Sequence, residues 1–339
     1  MSADAQASDR AVPGAGVALF TLGGTIAMAG TRGAVVARLT GADLTASVPG
    51  LDELGVTLDV RDAVAVPSAS LTYRQVLDLV AEAEAAVDAG AAGVVVTQGT
   101  DSLEETAYLA DLVWRRPQPI VFTGAMRNPT LAGADGPANL LAAVRVAAAP
   151  AARELGVLVA FHDEIHAARW VRKTHSTSPA TFGSPDLGPI GHVVEDRVRI
   201  LARPDRRPPL PAAPADLDDA RVAVYTATLD DDGALLAGLA DTHRGLVVAG
   251  FGVGHVPSDL APVLGDLAAR IPVVLTSRTG GGSALRQTYG AVGSETDLLR
   301  RGLIDGGLLH PYKARVLLRL LLAAGADRAA VAAAFADRT

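Results

Sequence analysis

The chain has 339 residues, of which 49% are hydrophobic and 20% charged, with a formal net charge of −7 and no cysteine. That composition describes a globular chain with a large core and enough length for two domains. It excludes disulfides, thiolate metal sites and a cysteine nucleophile, and its acidic balance attracts neither nucleic acid nor an anionic membrane.

Val17 to Phe20 reads as a short strand, followed by Thr21-Leu-Gly-Gly-Thr25-Ile-Ala27. The pair Gly23-Gly24 lets the backbone turn sharply or approach a ligand closely. The spacing is neither a dinucleotide fingerprint nor a phosphate loop, and Thr25 taken alone reads equally as a turn residue bonding its own backbone. Residues 28–40 are small, glycine-containing and weakly patterned, which predicts a mobile, lid-like loop. Val64 to Val66 is expected as another strand, ended by Pro67-Ser68. From Tyr73 to Val87, positions Val76, Val80, Ala83 and Val87 step by four, three and four and so form one helical face.

The stretch from Gly93 to Ala107 carries the densest signal. Val94, Val95 and Val96 make a continuous β-branched run, as in a strand buried on both faces of a parallel sheet. Gln98 and Gly99 break it. Ser102 with Glu105 predicts a capping box, and Glu104 adds a second acid to the first turn of a helix. Thr100 and Asp101 therefore fall between the carboxyl end of a strand and the amino end of a helix, where open α/β sheets bind ligands. Either residue, taken alone, is also a common helix cap.

Pro119 to Thr123 reads as a strand leading to Gly124-Ala125-Met126, and Asp135-Gly136-Pro137 opens a helix running to about Ala148. Gly156 to Phe161 is a further strand, so strands and helices alternate as in a parallel sheet covered on both faces. His162-Asp-Glu-Ile-His166 has its acids in the wrong place for a zinc helix and follows a strand, so no metal is expected there. Val193 to Ile200 predicts a hairpin turning at Glu195-Asp196. Five prolines between Pro204 and Pro214 mark a linker. The expected division is an N-terminal α/β catalytic domain over 1–203, a Pro-rich linker over 204–219 and a smaller C-terminal α/β domain over 220–339. The latter should hold strands in RVAVYTA, GLVVAGFGVG and IPVVLTSR, a helix from Pro311 and a last helix pairing Val331 with Phe335. The first fifteen residues lack a basic start followed by an apolar stretch and no run is long enough for a membrane span, so a cytoplasmic location is expected.

Several short polar groups lie just past the ends of apolar runs: Thr25, Ser68, Thr100-Asp101 and the turn at Ala125. In a parallel sheet such ends converge on one edge. Lys173 is one of only two lysines in the chain, the other being Lys313, and it is placed to fold back to that edge. Lysine, unlike arginine, serves as a base when its pKa is lowered. A surface ion pair explains Lys173 equally well from the chain alone.

These pieces resemble the bacterial-type L-asparaginase (asparaginase/glutaminase) family. The resemblance rests on GGTIA at 23–27, QGTDSLEETA at 98–107, TGAMR at 123–127 and DGPANL at 135–140. It continues through KTHSTSPATFGSPDLGPIG at 173–191, GLVVAGFGVG at 245–254, TSR at 276–278 and KARVLL at 313–318, in that order along nearly the whole chain. It implies a flavodoxin- or Rossmann-like N-terminal domain with a smaller C-terminal α/β domain. It also implies hydrolysis of L-asparagine to L-aspartate and ammonia without cofactor or metal, and a homotetramer built as a dimer of dimers, or a homodimer. By motif, Thr25 resembles the nucleophile, and Thr100, Asp101 and Lys173 a second hydroxyl–carboxylate–amine set. Gly24, Ser68, Gln98, Gly99 and Ala125 line the substrate, with Ser68 toward its α-carboxylate and Asp101 toward its α-amino group. His255 matches a position that reaches a neighbouring subunit's site.

Three departures stand out. The chain has no tyrosine before Tyr73, where the family carries one in the loop after GGTIA, and Tyr289 is the candidate replacement, alongside a purely local packing role. Ala69 stands where a Gln is frequent after the carboxylate-binding Ser, which predicts weak glutaminase activity. Gln98 stands in place of a His. Two other functions fit the same fold: a non-hydrolytic amino-acid-binding protein, and an ammonia-donating amidotransferase subunit.

Overall fold

The structure, a computed structural model, describes residues 9–24, 26, 28, 29, 36, 37, 40–211 and 217–338. The chain forms two units, Met1–Leu210 and Pro211–Thr339. The first holds β1 (Gly16–Thr21), β2 (Met28–Ala29), β3 (Val36–Ala37), α1 (Gly41–Ala46), β4 (Thr57–Asp62), α2 (Tyr73–Asp88), β5 (Gly93–Thr97) and α3 (Leu103–Val113). It continues with β6 (Ile120–Thr123), α4 (Gly136–Ala148), β7 (Val157–Phe161), β8 (Glu164–Ala167), β9 (Arg172–Lys173), β10 (Phe182–Gly183), β11 (Gly191–Val194) and β12 (Arg197–Ile200).

An eight-stranded sheet runs in the order β12-β11-β8-β7-β6-β5-β1-β4. The five strands from β4 to β7 are mutually parallel, and the β7–β8, β8–β11 and β11–β12 pairings are antiparallel. Every residue of β5, β6 and β7 is buried. That is the reason for their unbroken apolar runs, each fully buried Val or Leu contributing about 1.5–3 kcal/mol. β1 lies one strand in from the edge, flanked by β4, which follows it among these strands, and by β5, which comes next. Strand order therefore reverses between β1 and β5, and such a switch point opens a crevice at the carboxyl ends of the two strands.

Two local expectations are corrected. Val64–Val66 is not a strand; the strand is β4, whose TLDVRD sequence alternates in exposure. It forms the charged edge of the sheet, where an apolar-run criterion finds nothing. Ser102 makes no capping bond to α3. Its hydroxyl donates instead to the Ser68 carbonyl at 2.7 Å. A complete capping box forms at α2, where Thr72 and Gln75 bond reciprocally, and the buried face of that helix includes Val76, Val80, Ala83 and Val87. The two-residue turn between β11 and β12 is Glu195-Asp196, with Glu195 at φ 55°.

The Pro-rich stretch is not free along its length. Arg206 donates to the carbonyls of Trp114 and Arg116, and the Leu210 N–H donates to the Leu112 carbonyl at 2.7 Å. A basic side chain thus satisfies carbonyls at the end of α3, where the helix has no donors left.

The second unit holds β13 (Val222–Thr226), α5 (Leu239–Thr242), β14 (Gly245–Gly250), α6 (Leu260–Arg270), β15 (Val273–Ser277), α7 (Glu295–Arg300), β16 (Ile304–Asp305), α8 (Pro311–Ala323) and α9 (Arg328–Arg338). Its four strands are parallel and lie in chain order. Val331 and Phe335 anchor α9, both fully buried. Among the described residues no helix is long and apolar enough to cross a membrane.

Candidate active site

Three turns meet at the switch point. Gly24, after β1, has φ 90°, and a Cβ there would lie 2.1 Å from the Gly99 nitrogen. A Cβ on Gly99, after β5, would lie 2.6 Å from the Ser68 hydroxyl. Only glycine allows these backbones to touch. The buried Ser68 hydroxyl accepts from the Asp101 N–H at 3.2 Å, so the turn after β4 is stitched to the turn after β5. Thr25 lies outside the described residues, as does most of the 28–40 loop; what is described there is an antiparallel pairing of β2 with β3.

Lys173 reaches this point from the far end of the unit. Its ammonium nitrogen lies 3.0 Å from Thr100 Oγ1 and 3.0 Å from Asp101 Oδ1, donating to both across more than seventy residues of chain. Its backbone N–H donates to the carboxylate of the buried Glu104 at 2.7 Å. Asp101 is 67% exposed, so its ion pair with Lys173 adds at most about 1 kcal/mol to stability.

Gln98 is fully buried. Its Oε1 accepts from Thr106 Oγ1 at 2.9 Å and its Nε2 donates to the Gly99 carbonyl at 3.2 Å, so the side chain braces the Gly99 turn. Ala125, 1% exposed, sits in the turn after β6. That turn is held by Asp135, whose carboxylate accepts from the N–H groups of Met126 and Arg127 at 3.0 and 2.8 Å, and by Asn139, which donates to the Gly124 carbonyl at 3.0 Å. The segment containing His162 and His166 is a hairpin rather than a helix. His162 and Asp163 occupy its turn at φ 53° and 61°, and among the described residues no cluster of three or more metal-ligating side chains exists.

In the second unit His255 and Tyr289 are brought together, their rings edge to face at 4.9 Å between centroids. The residue that joins them, Glu295, was not singled out from the sequence. It opens α7 and is fully buried. Its carboxylate accepts from the N–H groups of Thr288 and Tyr289 at 2.8 and 2.7 Å and lies 3.1 Å from His255 Nε2. The one sequence signal for it is an acid in the first turn after Ser294, which caps the helix.

Burial alone would push the Glu295 carboxyl up. The backbone N–H groups of Tyr289, Thr288 and Glu295 itself, with the His255 ring, outweigh it and hold the group below the usual carboxylate range. A depressed carboxyl stabilises the fold above its unfolded pKa of about 4.3, and that contribution is lost as pH falls through the folded value. Glu295→Gln should therefore lower Tm at neutral pH, and the gap from the parent should narrow below about pH 4. Thermal melts across pH check this; a constant gap would count against it.

Residues 16–206 match the family model "Asparaginase, N-terminal" and residues 221–335 match "Glutaminase/Asparaginase C-terminal domain". A probable L-asparaginase of Deinococcus radiodurans is 36% identical over 319 residues, covering 92% of this chain and 94% of the relative. An L-asparaginase of Bacillus licheniformis is 34% identical over 318 residues, covering 91% and 95%. The crystal structure of a probable cytoplasmic L-asparaginase from Campylobacter jejuni superposes with a TM-score of 0.85 at 31% identity, covering 95% of this chain and 99% of that one. With both family models matched in order and full-length relatives above 30% identity, the chain belongs to the asparaginase family.

Proposed function

We propose that this protein hydrolyses the side-chain amide of L-asparagine to L-aspartate and ammonia. The observation that carries the reading is the ammonium group of Lys173 bonded at 3.0 Å to both Thr100 and Asp101 beside the Gly24–Gly99 contact. A primary amide is a poor electrophile and needs an activated hydroxyl. Thr25, which follows Gly24 in the chain, is the nucleophile whose hydroxyl attacks the amide carbonyl and forms the acyl-enzyme. The Thr25 proton passes by way of the Thr100 hydroxyl and Lys173 to the departing ammonia, and a water deprotonated by the same route then attacks the acyl carbon, releasing aspartate and restoring the Thr25 hydroxyl, with Asp101 holding the amine in place throughout. Ser68 and Asp101 meet the substrate's α-carboxylate and α-amino group, while Gln98, Gly99 and Ala125 shape the floor. No metal or cofactor enters this scheme. Its active form is an oligomer, a homotetramer or homodimer, in which His255 serves a neighbouring site. A cytoplasmic location belongs to the same reading, supported by the likeness to the Campylobacter protein.

Ammonia release with asparagine, glutamine and D-asparagine side by side tests the reading. Release from asparagine is expected; tight binding without release would make the protein an amino-acid binder. Glutamine should be the poorer substrate. Ala69, exposed beside Ser68, offers no side-chain hydrogen bond where a Gln would, a loss of about 1 kcal/mol or more per bond. Equal kcat/KM values for the two amides would refute that preference.

Tyr289 is proposed to supply the phenol that the N-terminal loop lacks. In support, it is 49% exposed and its ring is fixed against His255. Tyr289→Phe removes only the hydroxyl and should lower kcat by about a hundredfold with the oligomer intact. Unchanged kcat would leave Lys173 as the base and give the Tyr289 hydroxyl no part in the reaction.

A further inference from the structure

Lys173 does not stand on the main sheet. Among the described residues its strand, β9, pairs only with β10, with Phe182 opposite Lys173 and Gly183 opposite Arg172. A two-stranded ribbon of this length has no stability of its own, so the position of the amine depends on what fastens the ribbon. Its interior is tied by Thr174, whose N–H and hydroxyl both reach the Thr181 carbonyl at 2.8 Å. One edge is tied by Glu104 at the Lys173 N–H.

The link to the sheet is a polar chain. Ser184 follows β10 directly, and its hydroxyl lies 3.0 Å from Nδ1 of His166 on β8. Nε2 of the same ring lies 3.1 Å from Glu164 Oε2. A neutral imidazole has one donor and one acceptor nitrogen. In a neutral ring with its proton on Nε2 toward that carboxylate, Nδ1 accepts from the Ser184 hydroxyl; in either form the ring bridges Ser184 and Glu164. Phe182 adds an apolar contact, its ring centroid 4.7 Å from that of Phe161 at the end of β7. The set has the members of a serine nucleophile site, but Ser184 is 6% exposed and the His166 ring is fully buried, so no substrate reaches it. An apolar residue at position 166 would fill the same buried site with no partner to satisfy. What the imidazole adds is a directional bond that fixes where β10 lies along β8.

We propose that His166 and Ser184 are positioning residues for Lys173: by pinning the β9–β10 ribbon to β8 they set where the ammonium group meets Thr100 and Asp101. The catalytic consequence rests on the reading of Lys173 as the amine that moves the proton at Thr100; the placement itself does not. A misplacement of about 1 Å in such a group costs about a hundredfold in rate.

The chain's lysine content makes a direct test available. Lys313 is 1% exposed, so acylation by acetic anhydride, resolved by site with mass spectrometry, reads Lys173 apart from any other side-chain amine. In full-length Ser184→Ala, which deletes one hydroxyl, Lys173 should acylate several-fold faster. The value of kcat on asparagine should fall by about tenfold or more with KM within about twofold. Ser184→Thr, which keeps the hydroxyl, should restore both. His166→Asn, which keeps an acceptor near the Nδ1 position, should acylate more slowly than His166→Leu. An unchanged acylation rate in Ser184→Ala, with only a lowered Tm, would overturn the proposal and reduce the chain to fold stability. Faster acylation at unchanged kcat would uphold the placement and remove Lys173 from the chemistry, so the two readings fail separately.

Discussion

Thr100→Ala is expected to lower kcat for ammonia release by about 10³-fold or more while leaving the protein folded, and Thr25→Ala to do the same. The argument for Thr100 is geometric. Its hydroxyl is the point at which the Lys173 ammonium, the turn after β5 and the start of α3 come together. The side chain is 5% exposed, yet it lies in a turn rather than in the sheet core. Losing it removes one hydroxyl and one methyl, a cost of about 1 kcal/mol against a fold of several times that stability. Thr100→Ser keeps the hydroxyl and should retain most of the rate. For Thr25 the argument is its place in the sequence, directly after Gly24 in the GGTIA motif. Steady-state ammonia assays beside thermal melts check both. Parent-like turnover in either folded alanine variant would take that threonine out of the mechanism.

How much of this was legible in the chain depended on burial. Val94–Val96 and the runs in β6 and β7 are buried on both faces, so their sequences carry no polar interruption and read at once as parallel strands. β4 is an edge strand whose Asp59 and Arg61 pair with each other at 2.6 Å, and that charge hid it. The turns after β1 and β5 were found because glycine and a short polar residue follow an apolar run. The partner of Thr100 was another matter. Nothing local in KTHSTSP says that Lys173 turns toward a residue seventy-odd positions away; the scarcity of lysine and the family resemblance pointed to it. Glu295 escaped altogether, while Glu104 was read only as a first-turn acid and His166 only as a histidine in a segment unsuited to metal. Only the fold reveals that the first two are buried against backbone N–H groups and the third against Ser184. The capping box assigned to Ser102 failed for the related reason that its hydroxyl was taken by the Ser68 carbonyl.

Lys173→Met and Asp101→Asn should each cost about 10²–10⁴-fold in kcat, and the double variant should cost hardly more than the worse single one. The proposal gives the two side chains one function at one atom, the Thr100 hydroxyl. In the proposed mechanism Lys173 takes up the proton only while its amine faces Thr100 Oγ1, and Asp101, 3.0 Å from the same nitrogen, holds it there. Without the amine the carboxylate has no ammonium to orient; without the carboxylate the amine is free to leave the hydroxyl. Stability should respond quite differently. The pair is solvent-screened, with Asp101 67% exposed, so the double variant should lose no more than about 1 kcal/mol. Asp101 is also assigned to the substrate's α-amino group, so its loss should raise KM as well as lower kcat, whereas Lys173→Met should act on kcat with KM little changed. A double-mutant cycle in kcat, with melts on all four proteins, separates these effects. Multiplicative losses in kcat across the cycle would mean that the two groups act at different steps, and the ion pair seen between them would then have no role in moving the proton.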